Sequence, residues 1–134
     1  VIHACKEPYH RQLLGYTGRA APKDHPEYLW AERPFRLFMN IVDADDSRYF
    51  SKGLIDRAIE AILSQKNHRK VFVHCNEGKS RAPSLAPMAM ARNGEMNPDF
   101  YESMKIFKAL YPEFTPKLGI LDFMRINWSS YYRT

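Results

Sequence analysis

The chain is poor in cysteine and has no long apolar run, and each shortage excludes a class of protein. Two cysteines, Cys5 and Cys75, are too few for a disulfide framework or a zinc-ligand set. A reduced, cytoplasmic setting and no structural metal are therefore expected. No apolar stretch approaches the ~18–20 residues of a membrane span, and no signal-peptide pattern is visible. There is no repeat, no low-complexity tract and no tandem basic–aromatic module of a dedicated nucleic-acid reader. Position 1 is Val1 rather than Met, as expected of a chain trimmed or processed at its N-terminus. What remains is 134 residues, 45% hydrophobic, with eight Phe, eight Tyr and two Trp. That is enough for a single domain over 1–134 with a substantial core.

The charge is basic, with a formal net charge of +5 and an isoelectric point near 9.3. Its distribution says more than its total. Lys66, Arg69, Lys70, Lys79 and Arg81 lie close together in sequence, against the single acid Glu77. Positive potential concentrated in one stretch suits an anionic partner. Nucleic acid is not favoured, because a smaller phosphate ester suffices to explain the pattern.

The stretch is Val71-Phe72-Val73-His74-Cys75-Asn76-Glu77-Gly78-Lys79-Ser80-Arg81-Ala82. Apolar, largely β-branched residues run into a cysteine, a short loop and a helical pattern, which predicts strand, anion cradle and helix N-terminus in that order. A free cysteine thiol has a pKa near ~8.5, so a thiolate nucleophile needs positive potential around it. Loop amides, the positive end of the helix and Arg81 would supply that potential. The same donors, from Asn76, Glu77, Gly78, Lys79, Ser80 and Arg81, are spaced to hold a tetrahedral oxyanion. Arginine can grip two of its oxygens at once. Gly78 permits the backbone conformations that turn amides inward.

The motif His74-Cys75-x-x-Gly78-x-x-Arg81 resembles the signature loop of the cysteine-based protein tyrosine phosphatase superfamily, and Gly78-Lys79-Ser80-Arg81 is similar to its dual-specificity branch. The resemblance covers roughly residues 35–130, with high specificity in the loop itself. It implies an α/β fold, a central and mostly parallel sheet flanked by helices, and hydrolysis of phosphate monoesters without metal or cofactor. It further implies that Cys75 is the nucleophile, that Arg81 binds phosphate, and that His74 supports the loop and helps to lower the thiol pKa. The family's general acid is an aspartate on a loop after an upstream strand. Asp43, 32 residues before Cys75, fits that place best; Asp45 and Asp46 share its turn and stay open. One position departs from the pattern: where the family usually has Ser or Thr after the arginine, this chain has Ala82, so slower breakdown of a cysteinyl-phosphate is expected.

Phosphotyrosine and phosphoserine/threonine in proteins are the substrates this resemblance implies. No Lys-Asn-Arg-Tyr segment is present, the element that deepens the pocket of the larger tyrosine phosphatases. Lys79 occurs at this place in a phosphoinositide phosphatase of the superfamily, but that enzyme has a second lysine where this chain has Asn76. RNA 5′-phosphatases and a non-catalytic phosphate-binding pseudophosphatase are the further alternatives.

Around the loop, the pattern predicts a short strand over Val1–Ala4, helical turns over Pro8–Leu14, and an irregular excursion over Thr17–Pro34 with a helical turn at Glu27–Arg33. A strand over Phe35–Val42 should lead into a helix capped by Asp46 or Ser47 and running to about Lys66. With the Val71–His74 strand this makes a β-α-β unit whose strands are expected to pair in parallel. Three more helices follow, over Ala82–Arg92, from a cap at Asn97 to about Leu110, and from a cap at Thr115 to the end.

Overall fold

The computed structural model describes residues 1–68 and 70–132. Arg69, one of the clustered basic residues, lies outside the described residues. The fold is α/β. A four-stranded sheet is formed by β1 (Ile2–His3), β2 (Trp30–Arg33), β3 (Arg36–Met39) and β4 (Val73–His74), in the order β2-β3-β1-β4. The helices are α1 (Arg11–Leu14), α2 (Lys52–Gln65), α3 (Arg81–Arg92), α4 (Phe100–Leu110) and α5 (Leu118–Tyr131).

The sheet is small and mixed rather than simply parallel. β1 pairs in parallel with both β3 and β4, while β2 pairs antiparallel with β3. The β3-α2-β4 unit is present, but its two strands are not neighbours. β1 lies between them, its Ile2 and Ala4 amides bonding to the Phe72 and His74 carbonyls. β2 replaces the expected helical turn at Glu27–Arg33. The reason is the corner that follows. Pro34 presets one turn residue and Phe35 takes a left-handed φ of 63°, so the chain folds back as a tight hairpin. Trp30 and Ala31 then pair with Met39 and Phe38.

Two predicted caps also shift, each to a residue whose oxygen faces the helix amides. Ser51 caps α2 through Leu54, while Asp46 caps only the short turn Ser47–Tyr49 by accepting from the Arg48 amide. Asp99, not Asn97, caps α4 by accepting from Glu102; Asn97 instead makes a turn by accepting from the Asp99 amide. Thr115 caps nothing, and its amide goes to the Lys79 carbonyl.

Helix α3 is the hub. Leu85 and Met88 are fully buried and pack with Ile55 and Ile59 of α2 and with Ile120 and Met124 of α5 in one apolar cluster. Burying such a side chain stabilises by about 1.5–3 kcal/mol. Pro83 lies in the first turn of α3, where no amide is needed; Pro87 is inside the helix and buried. With α3 anchored from three sides, its N-terminus is fixed at the carboxyl end of β4, where open α/β sheets bind ligands.

Gly119, in the first turn of α5, sets how closely that helix approaches the turn after β3. A β-carbon there would lie 2.2 Å from the Ala44 carbonyl oxygen. Gly119→Ala should therefore force α5 away from the Asp43–Asp46 turn and cost about 1–3 kcal/mol. Urea denaturation reads this directly, and an unchanged midpoint would show that the contact is slack.

Candidate active site

Strand, loop and helix follow one another in the predicted order. Cys75 follows β4, and Gly78 takes a φ of 72°. Arg81 opens α3. No side chain caps α3, so its first amides are free to serve something else. One of them, Ala82 N–H, donates to Cys75 Sγ at 3.4 Å. Amide donors at a helix N-terminus favour negative charge on the atom they point to.

Arg81 is 8% exposed and is braced on two sides. Its Nη1 donates to the Ile41 carbonyl at 3.2 Å, and its Nη2 donates to Asn76 Oδ1 at 2.5 Å. Asn76 in turn donates through Nδ2 to the Glu7 carbonyl at 3.0 Å. The Asn76 side chain therefore holds the arginine rather than standing free for a ligand. A guanidinium has five N–H donors, so the two bracing bonds leave part of the fork for an oxyanion.

A cavity of about 200 Å³ opens over the sulfur, lined by Cys75, Arg81, Asp43, Glu77, Lys79 and Ser80 together with Thr115–Lys117. This separates the three upstream acids. Asp43 lines the cavity with Cys75, with one carboxyl oxygen near Lys117 and the other buried without a partner among the described residues. Asp45 is exposed and lines no part of it. Asp46 is held by Arg48, whose side-chain and backbone donors pull its carboxyl down to about 2. Ser80 is buried, its hydroxyl accepting from the Lys117 amide at 2.9 Å. Glu77 and Lys79 stand exposed at the rim.

Sequence reasoning missed the segment that closes the other wall. The strap from Tyr111 to Lys117 bonds to three consecutive loop residues. Tyr111 Oη donates to the Gly78 carbonyl at 2.7 Å, the Thr115 amide to the Lys79 carbonyl at 2.8 Å, and the Lys117 amide to Ser80. These contacts join positions more than thirty residues apart, and no local pattern announces them. Thr115-Pro116 reads as a helix start, which it is not.

His74 turns toward β1. Its Nε2 lies 2.5 Å from His3 Nδ1, and its ring packs edge-on to Tyr9. Arg36 Nε donates to His3 Nε2 at 3.0 Å. Since arginine can only donate, the His3 proton sits on Nδ1 and His74 Nε2 accepts it. Arg36, His3 and His74 thus form a directed chain that assigns the remaining His74 proton to Nδ1.

Cys5, buried beside the cradle, differs from Cys75 in accessibility. Burial pushes its thiol up, opposed by the Arg81 guanidinium. A larger depression of about 430 Å³ lies at the opposite end of the strands, between Phe35 and Val71. Its arginines are already engaged, Arg57 with Glu32, Arg33 with Glu27 and Arg36 with His3. Size alone does not make it the site.

Among the described residues there is no group of three or more His, Cys, Asp or Glu arranged to hold a metal ion, and no helix long and apolar enough to cross a membrane. No family model, curated protein or solved structure matches this chain.

His3 gives a pH signature. Burial, then Arg36 and His74, lower it from 6.5 to about 4. A base whose folded pKa is depressed contributes stability above the unfolded value, and loses it as pH falls through 6.5 toward the folded value. Stability should therefore drop between about pH 6.5 and 4, by on the order of 3 kcal/mol. His3→Phe, which keeps ring contacts with Tyr9 and Phe38, should flatten this fall in urea midpoints measured across that range.

Proposed function

We propose that the protein is a dual-specificity-like phosphatase that hydrolyses phosphate monoesters through a cysteinyl-phosphate. The observation that carries this reading is that Cys75, Arg81 and Asp43 line one small cavity at the N-terminus of α3. A nucleophile, an oxyanion clamp and a carboxyl within one cavity are what such a displacement requires.

In the first step the Cys75 thiolate attacks phosphorus, forming an S–P bond as the bond to the leaving oxygen breaks. Arg81 and the loop amides hold the nonbridging oxygens, and Asp43 gives its proton to the departing oxygen. In the second step Asp43, now a carboxylate, takes a proton from water as that water attacks phosphorus. The S–P bond breaks, the thiolate is restored and inorganic phosphate leaves. No metal or cofactor takes part in this scheme.

The reading extends to phosphotyrosine and phosphoserine/threonine in proteins, supported by the modest cavity and by the absence of a pocket-deepening segment. A polyanionic substrate, such as a phosphoinositide or an RNA 5′-phosphate, is the second reading. Lys79 and Lys117 on the rim favour it. Profiling against phosphopeptides, phosphoinositides and 5′-phosphorylated RNA distinguishes the two.

Hydrolysis of an aryl phosphate should be abolished in Cys75→Ser and reduced by about 10²-fold or more in Asp43→Asn. Wild-type protein that binds phosphate without Cys75-dependent turnover would establish the pseudophosphatase instead. Ala82 bears on the second step. Its amide reaches the sulfur but its side chain offers no hydroxyl, and the neighbouring Ser80 oxygen faces the Lys117 amide. A pre-steady-state burst is expected in the wild type, and Ala82→Ser should raise the steady-state rate several-fold, about 1 kcal/mol in barrier. Absence of a burst together with an unchanged rate in Ala82→Ser would remove this account.

A further inference from the structure

Lys117 touches both chemical elements of the cavity. Its backbone amide donates to Ser80 Oγ of the cradle at 2.9 Å, and its Nζ lies 3.4 Å from Asp43 Oδ2 on the facing turn. We propose that Lys117 is a positioning residue whose ammonium holds the Asp43 carboxyl over the cradle. This rests on the phosphatase reading above and assigns a role that the loop motif does not contain.

The charges around Asp43 come from three places. Its own turn carries Asp45, exposed, and Asp46, paired with Arg48. The cradle contributes Glu77, Lys79 and Arg81 to the same cavity. The start of α5 contributes Lys117, the cation in ion-pair contact with Asp43. Arg81 bonds to Ile41 and Asn76 and forms no ion pair with Asp43, so it is not the group that orients the carboxyl.

The geometry divides the two carboxyl oxygens. Oδ2 lies 3.4 Å from Lys117 Nζ, while Oδ1 is buried without a partner among the described residues. When Asp43 gives up its proton, the new negative charge arises beside the Lys117 ammonium. The same contact then keeps the carboxylate in place to take a proton from water. A role in holding the fold together explains the pair poorly. It is half-exposed at Lys117, and ion pairs of that kind contribute little to stability. The part of Lys117 that braces the cradle is its backbone amide, which a side-chain substitution leaves intact.

A positioned acid matters most when the leaving group is basic, and least when it departs readily unprotonated. The test compares kcat/KM for phenyl phosphate and dinitrophenyl phosphate in wild type, Lys117→Met, Lys117→Arg, Asp43→Asn and the double variant. Lys117→Met should lose about tenfold or more on phenyl phosphate and change less than about twofold on dinitrophenyl phosphate. Lys117→Arg should restore most of the loss. Added to Asp43→Asn, Lys117→Met should cost nothing further. An equal loss on both esters, no loss, or full additivity with Asp43→Asn would overturn the role. Urea midpoints show that each variant is folded, and Lys117→Gln replaces Met should the latter unfold. Wild-type protein with no Cys75-dependent turnover of either ester would instead overturn the phosphatase reading, and this inference with it.

Discussion

The site depends on a buried guanidinium held in place from both sides. Arg81 begins α3, so its backbone is fixed by the best-packed helix in the molecule. Its side chain then reaches back to the Ile41 carbonyl, at the end of the chain's β3 segment, and to Asn76 at the start of the loop. The Ile41 carbonyl also accepts from the Lys6 amide, and Asn76 is anchored to the Glu7 carbonyl. Three chain segments therefore meet at one cation. Burying a charge is costly unless it is paired or fully hydrogen-bonded. Here neutral oxygens meet part of the need, and among the described residues no carboxylate is paired with the guanidinium. Such a cation, bonded but not neutralised, is a ready receptor for an anion.

The strap from Tyr111 to Lys117, continued by the first turn of α5, carries this order across the cavity. It bonds to the loop at Gly78, Lys79 and Ser80, then packs Gly119 against Ala44 and reaches Asp43 through Lys117. Cradle and acid turn belong to different parts of the sequence, linked from one side by the Arg81 bond to the Ile41 carbonyl. A segment bonded to both sets their separation, which matters because reacting groups lose much of their effect when displaced by an ångström.

The local geometry of the loop was more legible in the sequence than the architecture. Cys75, Gly78, Arg81 and the β4–loop–α3 order could be read locally, because a cradle is built from neighbouring residues. Asp43 was one of three acids until the fold gave each a different environment: cavity, solvent, and Arg48. β2 was misread because Trp30–Arg33 is a strand only through its hairpin partner, and the Phe35 corner is an uncommon left-handed position for an aromatic residue. The caps at Ser51 and Asp99 moved by a few residues for a simpler reason. Several oxygen-bearing side chains stand near each helix start, and packing decides which one faces the amides.

Two side chains that flank Cys75 are spent on neighbouring groups. Asn76 lies in the loop, yet its side chain is spent on Arg81 and Glu7. His74 precedes Cys75, yet its Nε2 is met by His3, itself fixed by Arg36. In both cases the side chain nearest the sulfur in sequence is used to hold something still. Position in a motif locates a residue at the site, but its hydrogen bonds decide which task it performs there. The same logic promotes Lys117, which no motif includes. Its amide and ammonium lie on opposite walls of one cavity, and that placement alone gives it influence over both the cradle and the acid.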